Sequence, residues 1–236
     1  MLFRTLLFHC CAYPWTVLVI LLGVPFSFIS PDYLHNCGIL WARGCLLLAG
    51  IRVKVNGAES IPRDRSAVYI ANHQSHFDIL ALYASLPIQF RWMAKQELFD
   101  IPLFGMAMRR CGYIAIDRSD RRKSMRSMIA AAQRIESGTS VIVFPEGTRT
   151  NDGRLQSFKK GGFMIALKAQ APLVPVVING SYALLPRGRT SIRSGQIDID
   201  ILPPVETAGL PSKNLDGLMT KIHASMSSLI KEENPL

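Results

Sequence analysis

Read from its N-terminus, the chain changes character near residue 52. From Thr5 to Ile29 no Asp, Glu, Lys or Arg interrupts an apolar run. As a helix, about 25 residues would reach about 37 Å, enough to cross a bilayer. Pro14 and Pro25 fall inside the run, so the pattern predicts a kinked or partial helix. A second apolar stretch, Cys37 to Ile51, carries Arg43 near its centre, a costly position in lipid unless the side chain reaches the head groups. The two stretches predict one span followed by an interfacial helix, or a helical hairpin dipping into one leaflet. A secretory signal fits poorly, because the run is too long and lacks a small-residue cleavage site. Two buried helices of a soluble domain fit less well than either membrane reading for so apolar a leader.

From Val53 the pattern alternates short β-rich runs with helical periodicity. Strands are predicted at Val53–Val55, Ala67–Ala71, Phe90–Ala94, Tyr113–Ile116, Ser140–Phe144, Leu173–Ile178 and Gln196–Leu202. The pair Asn56-Gly57 closes the first as a turn. An apolar helix is predicted over Ile79–Leu86. A second, capped by Ser119 or Asp120, places Met125, Met128, Ile129, Ala132 and Ile135 on one face and ends at Gly138. A third starts near Asn214, with Leu215, Leu218, Ile222, Met226 and Leu229 on one side. Alternation of this kind predicts an α/β domain over residues 53–236, its largely parallel or mixed sheet covered by helices. Residues 1–52 form an apolar helical membrane anchor in the same reading.

Composition narrows the partners. Hydrophobic residues make up 49% of the 236, and the excess sits mainly in the leader. The net charge of +10, from 27 basic and 17 acidic residues, favours an anionic partner. Beside an apolar leader, that partner is an anionic membrane surface or a phosphorylated substrate. Nucleic acid is not indicated, because neither a Cys/His finger spacing nor an aromatic ribonucleoprotein signature is present. The five cysteines contain no Cys-x-x-Cys pair, so no metal site or redox dithiol is expected.

Two polar blocks carry the candidate chemistry. The first, Asn72-His73-Gln74-Ser75-His76-Phe77-Asp78, lies between a predicted strand and a predicted helix. Open α/β sheets bind ligands at such junctions. If the loop folds back, Asp78 meets His73, fixes its tautomer and stabilises the imidazolium formed when it takes a proton. Ser75 also suits a helix cap, and His76 is the rival base. The second block, Phe144-Pro145-Glu146-Gly147-Thr148-Arg149-Thr150, follows the strand ending at Phe144. Gly147 lets backbone amides approach an anion, and the Arg149 fork suits a phosphate.

Together these residues resemble the glycerolipid acyltransferases, specifically the 1-acylglycerol-3-phosphate acyltransferases. Asn72, His73, Ser75 and Asp78 match the first family motif, and Gly112-Tyr113-Ile114-Ala115-Ile116-Asp117-Arg118 is similar to the second. Phe144 to Arg149 match the third completely, and Val174-Pro175-Val176-Val177 the fourth. Four blocks in family order are far more specific than one. Ala115 departs from the larger apolar residue often found there, which touches packing and not chemistry.

The resemblance implies a membrane-associated enzyme with its catalytic domain on the cytoplasmic face, which favours the hairpin reading of the leader. The donor would be acyl-CoA or acyl carrier protein, the acceptor lysophosphatidate, with no cofactor and no metal. His73 would be the catalytic base, Asp78 its partner, and transfer would be direct. Lys95, Arg118 and Arg149 would hold the acceptor's phosphate in a pocket shaped by Glu146, Gly147 and Thr148. Lys159 and Lys160 would serve the acceptor or the donor's phosphates, or form a solvated turn. Arg187, Arg189 and Arg193 read as a membrane-facing or simply solvated basic loop. Another lysophospholipid or glycerol-3-phosphate remains open as acceptor. Outside the transferases, a lipid hydrolase with Ser75 as nucleophile or a non-catalytic membrane-binding protein stays open.

Overall fold

The computed structural model describes residues 2–117 and 120–231. Seven strands form one sheet: β1 (Ile51–Asn56), β2 (Val68–Ala71), β3 (Phe90–Lys95), β4 (Ile114–Ile116), β5 (Ser140–Val143), β6 (Leu173–Asn179) and β7 (Gly195–Ile201). Their order across the sheet is β1-β7-β6-β2-β5-β3-β4. Strands β6, β2, β5, β3 and β4 run parallel to their neighbours, whereas β7 is antiparallel to β6 and β1 pairs parallel with β7. The sheet is therefore mixed, with a parallel body and two reversed strands at one end. Every residue of β2, β5 and β6 is buried, as continuous apolar runs in a sheet covered on both faces should be. In β7 buried Ile197, Ile199 and Ile201 alternate with the half-buried Asp198 and Asp200.

One face of the sheet is covered by α2 (Pro31–Ala49) and α3 (Phe77–Ser85), the other by α6 (Arg121–Glu136), α7 (Gly161–Ala169) and α9 (Leu215–Ser227). The Asp120 carboxylate caps α6 by accepting from the Arg122 and Lys123 amides at 2.6 and 3.2 Å. Gly138, at φ 93°, turns the chain just after that helix. Helix α7 begins on Gly161-Gly162, and a Cβ at Gly162 would sit 3.1 Å from Ile70 and 3.2 Å from Val143. The missing side chain lets α7 lie close on the strands that carry the site.

The leader folds into a hairpin. Helix α1 (Leu2–Gly23) runs through Pro14 without ending, then tightens into a 3₁₀ turn at Val24–Phe28. The Ser30 hydroxyl caps α2 by accepting from the Asp32 amide at 3.2 Å, with Pro31 in the first turn. Gly50, at φ 66°, ends α2 in the left-handed conformation. The two helices are joined by indoles: Trp15 Nε1 donates to the Trp41 carbonyl at 3.1 Å, and Trp41 Nε1 to Thr16 Oγ1 at 2.8 Å. One side of α2 (Ala42, Cys45, Leu46 and Ala49) is buried in the same apolar core as β2, β6 and β7. The hairpin and the sheet thus share a core. The outer side of α1 does the opposite and exposes Leu6, Leu18, Leu21 and Leu22. Leu2–Phe28 is long and apolar enough to cross a membrane.

Candidate active site

Parallel pairing sets Ile70 beside Val143, so β2 and β5 release their chains at one sheet edge. His73 leaves β2 there and Phe144 leaves β5. The Asn72 amide holds the edge closed: its Nδ2 donates to the Ile178 carbonyl at 2.8 Å, and its Oδ1 accepts from the Ile178 amide at 2.7 Å. A buried side chain thereby continues the ladder between β2 and β6 past Ala71.

Beyond Asn72 the loop folds back on itself. His73 Nδ1 lies 2.8 Å from Asp78 Oδ2, with the carboxylate fully buried and the imidazole only slightly exposed. The same oxygen accepts from the Gln74 and Ser75 amides at 2.6 and 2.8 Å, so Asp78 is fixed by three contacts. Its other oxygen, Oδ1, is buried with no hydrogen-bond partner among the described residues. The Phe144 ring stacks on the imidazole, centroid to centroid 3.9 Å and 10° from parallel. With Nδ1 engaged and the ring plane held, Nε2 is left as the nitrogen that can exchange a proton.

Ser75 Oγ accepts from the Phe77 amide at 3.3 Å, the capping role its position suggests, and donates to the Leu185 carbonyl at 2.9 Å. It is fully buried, so it is not presented as a nucleophile. His76 is exposed, and partial desolvation, then the charges of Arg149 and His73, lower its pKa below the usual imidazole value. Among the described residues no carboxylate pairs with it, whereas Asp78 holds His73.

The second block curls beneath the first. Gly147, at φ 76°, makes the turn, with its amide donating to the Phe144 carbonyl at 3.1 Å. The Glu146 carboxylate points inward: Oε1 accepts from the His73 amide at 2.6 Å and Oε2 from the Gln156 amide at 2.9 Å. Burial raises its pKa to about 7, against the pull of those two amides. The Thr150 amide donates to the His73 carbonyl at 2.9 Å, so the two blocks are tied in both directions. Arg149 is left half-buried at the mouth beside His76.

An ordered His–Asp pair beside an arginine, at the carboxyl edge of a mixed α/β sheet, can be compared with known proteins. A family model described as Acyltransferase matches residues 52–179, more than half of the chain. The 1-acyl-sn-glycerol-3-phosphate acyltransferase alpha of Homo sapiens is 34% identical over 223 residues, 92% of this chain and 78% of the human protein. The chain belongs to the 1-acyl-sn-glycerol-3-phosphate acyltransferase family. A relative of that name from Chlamydomonas reinhardtii is 36% identical over 84% of this chain and 59% of its own length. The crystal structure of the 1-acyl-sn-glycerophosphate (LPA) acyltransferase, PlsC, from Thermotoga maritima superposes with a TM-score of 0.82 at 31% identity, covering 97% of this chain and 94% of that one. The fold of this acyltransferase is therefore the α/β architecture of that enzyme.

The acyltransferase brings some expected residues together and separates others. His73, Asp78, Gly147, Thr148 and Arg149 converge on the edge between β2 and β5. Glu146 is buried at the same edge, its carboxylate taken up by the His73 and Gln156 amides. Lys95 ends β3, the strand next to β5, where its register partner is Ile116. It is exposed and makes no hydrogen bond or ion pair among the described residues. Arg118 lies outside the described residues. Lys160 pairs with Asp216 on α9 at 2.8 Å across an exposed surface.

Three residues of the acyltransferase edge make contacts that sequence reasoning missed. Gln74 donates to the Gly153 carbonyl at 2.9 Å and accepts from Ser181 Oγ at 3.3 Å. Phe144 was read as part of a motif and not as the face on which the imidazole rests. Arg187 stands next to Arg149, with its Nη1 donating to the Arg149 carbonyl at 3.2 Å. Nothing local in sequence signals that contact, because it spans 38 positions.

Proposed function

We propose that this enzyme moves a fatty acyl group from an acyl thioester, acyl-CoA or acyl carrier protein, to the free hydroxyl of 1-acylglycerol-3-phosphate. The product is phosphatidate. The observation that carries this reading is the 2.8 Å contact between His73 Nδ1 and a fully buried Asp78, which orients Nε2 and stabilises the cation it becomes. His73 Nε2 takes the acceptor's hydroxyl proton as its oxygen attacks the thioester carbonyl carbon. The carbon–sulfur bond then breaks, and the departing thiolate recovers the proton from His73. The reaction balances without a cofactor or metal. General-base help of this kind is worth about 10²–10⁴-fold.

Transfer is direct in this account, since Ser75 is buried and its hydroxyl is committed to Leu185. Arg149, Lys95 and Arg118 take the acceptor's phosphate, with Gly147 and Thr148 lining its seat. The hairpin lies in one leaflet with the apolar outer side of α1 in lipid, and residues 53–236 work at the interface, on the cytoplasmic face where soluble thioester donors are met.

Purified enzyme in vesicles, given labelled acyl-CoA or acyl carrier protein, tests the reading against lysophosphatidate, other lysophospholipids and glycerol-3-phosphate. Labelled phosphatidate is expected to form fastest. Transfer to other acceptors with none to lysophosphatidate would overturn the assignment.

A further inference from the structure

The short helix α8 (Ser181–Leu184) and the loop after it are stitched to the two loops that carry His73 and Arg149. Ser75 Oγ donates to the Leu185 carbonyl, Ser181 Oγ donates to Gln74, and Tyr182 Oη donates to the Asn151 carbonyl at 2.6 Å. From the other direction, Thr5 Oγ1 in α1 accepts from the Ile192 amide at 2.9 Å. Two residues past Leu185, Arg187 Nη1 donates to the Arg149 carbonyl at 3.2 Å and to Asn151 Oδ1 at 3.1 Å. The loop is therefore held in place, and it delivers a second guanidinium to the mouth where Arg149 already stands.

Two like charges brought together in this way repel. Burial, and then the Arg187 charge, lower the pKa of Arg149, while the charge of Asp78 opposes them. Among the described residues, neither Arg149 nor Arg187 forms an ion pair with a carboxylate. His76, the third basic group at this mouth, is also disfavoured as a cation by Arg149. A fold that spends several hydrogen bonds on holding two unpaired guanidiniums together has built a seat for an anion. Planar forks with several donors match the oxygens of a phosphate monoester better than a single point charge does.

We propose that Arg187 is a second phosphate-binding residue of the acceptor site, acting with Arg149 to select a phosphate-bearing acceptor. The inference rests on the function proposed above, because it needs an acceptor that carries a phosphate. It also separates Arg187 from the rest of its loop: both Arg187 and Arg189 are exposed, but Arg187 is tied to Arg149 and Asn151, whereas Arg189 contributes only its backbone amide, to the Pro186 carbonyl at 3.1 Å.

The test compares wild type with Arg187→Ala, Arg187→Lys, Arg187→Gln and Arg189→Ala, using lysophosphatidate and its phosphate-free counterpart, monoacylglycerol, as acceptors. Arg187→Ala is expected to raise the KM for lysophosphatidate by about 10- to 100-fold, the value of one hydrogen bond to a charged group. The KM for the acyl donor and for monoacylglycerol should stay at the wild-type value. Arg187→Lys keeps the charge without the fork and should fall between wild type and Arg187→Ala, Arg187→Gln keeps a donor without charge and should behave as Arg187→Ala, and Arg189→Ala should match wild type. An unchanged lysophosphatidate KM in Arg187→Ala, an equal rise in the donor KM, or wild-type behaviour of Arg187→Gln would each overturn the inference while leaving the function in place. A wild type that leaves lysophosphatidate unacylated overturns the function, and the inference with it.

Discussion

Two regions of this acyltransferase invert the usual inside-out arrangement, in opposite senses. At the carboxyl edge of the sheet, Asn72, Gln74, Ser75, Asp78 and Glu146 are all buried polar or charged side chains. Along the outer side of α1, large apolar side chains face outward, with Leu22 61% exposed. Burying polar groups is costly unless each is hydrogen-bonded, and at the edge nearly every one is. Exposing apolar groups is costly in water and costs nothing in lipid. The difference teaches that each inversion calls for a different medium: backbone groups in one place and, in the function proposed above, a bilayer in the other. The chemistry sits where the two meet, since α1 touches the Arg187 loop through Thr5 and α3 through the contact of Phe8 with Phe77.

Removing the charge from the polar region should have the largest effect. Asp78→Asn can keep its oxygen toward the Gln74 and Ser75 amides and place its NH₂ where Oδ1 now has no partner, so the loop should hold. The imidazolium loses its counter-charge, and turnover should fall about 10²-fold or more with little change in melting temperature. Full activity would show that the buried carboxylate is only architectural. In the apolar region, Leu18→Glu with Leu22→Glu puts two carboxylates on the exposed side of α1, one turn apart. Losing two lipid-facing leucines should cut partition into vesicles about 100-fold. Unchanged flotation with the vesicles would mean that this side does not enter lipid.

The third change tests how firmly the polar region is satisfied. Asn72→Ala strands the amide and carbonyl of Ile178 in the interior, and stability should drop by about 2–4 kcal/mol, read as denaturant midpoint. A midpoint equal to wild type would show the brace to be dispensable.

The smallest effect concerns Glu146. Its pKa in the folded chain is raised to about 7 from an ordinary value of 4.5, so the protonated form is the one the fold favours. Its stabilising contribution is fully present below pH 4.5 and is lost as pH rises through 7. The melting-temperature advantage of wild type over Glu146→Gln, which does not titrate, should therefore narrow between pH 4.5 and 8. An advantage that widens with pH would contradict the burial argument.

Much of this architecture was legible in the sequence. All seven runs read as strands are strands, because continuous Val/Ile segments such as Ser140–Val143 suit a covered parallel sheet. The reversal of β7 against β6 was not legible, since an alternating strand looks the same in either direction. Helix α7 escaped because it opens on Gly161-Gly162, which propensity reads as a break and packing uses as a close approach. The hairpin's apolar character was visible, but its sharing of a core through Ala42 and Cys45 depends on tertiary contact. The His73–Asp78 contact was legible as a pairing that needs the loop to fold back, which it does at 2.8 Å. That Glu146 would turn its carboxylate inward could not be, because acidic residues are rarely buried unless paired, and its partners are backbone amides ten and more positions away.

The central claim is that His73 transfers the proton. Wild type and His73→Ala, in the same vesicles with saturating labelled acyl thioester and lysophosphatidate, measure it directly. The account predicts that phosphatidate formation falls by about 10³-fold or more in His73→Ala while the protein stays folded and membrane-bound. Transfer at the wild-type rate by a folded His73→Ala would contradict it.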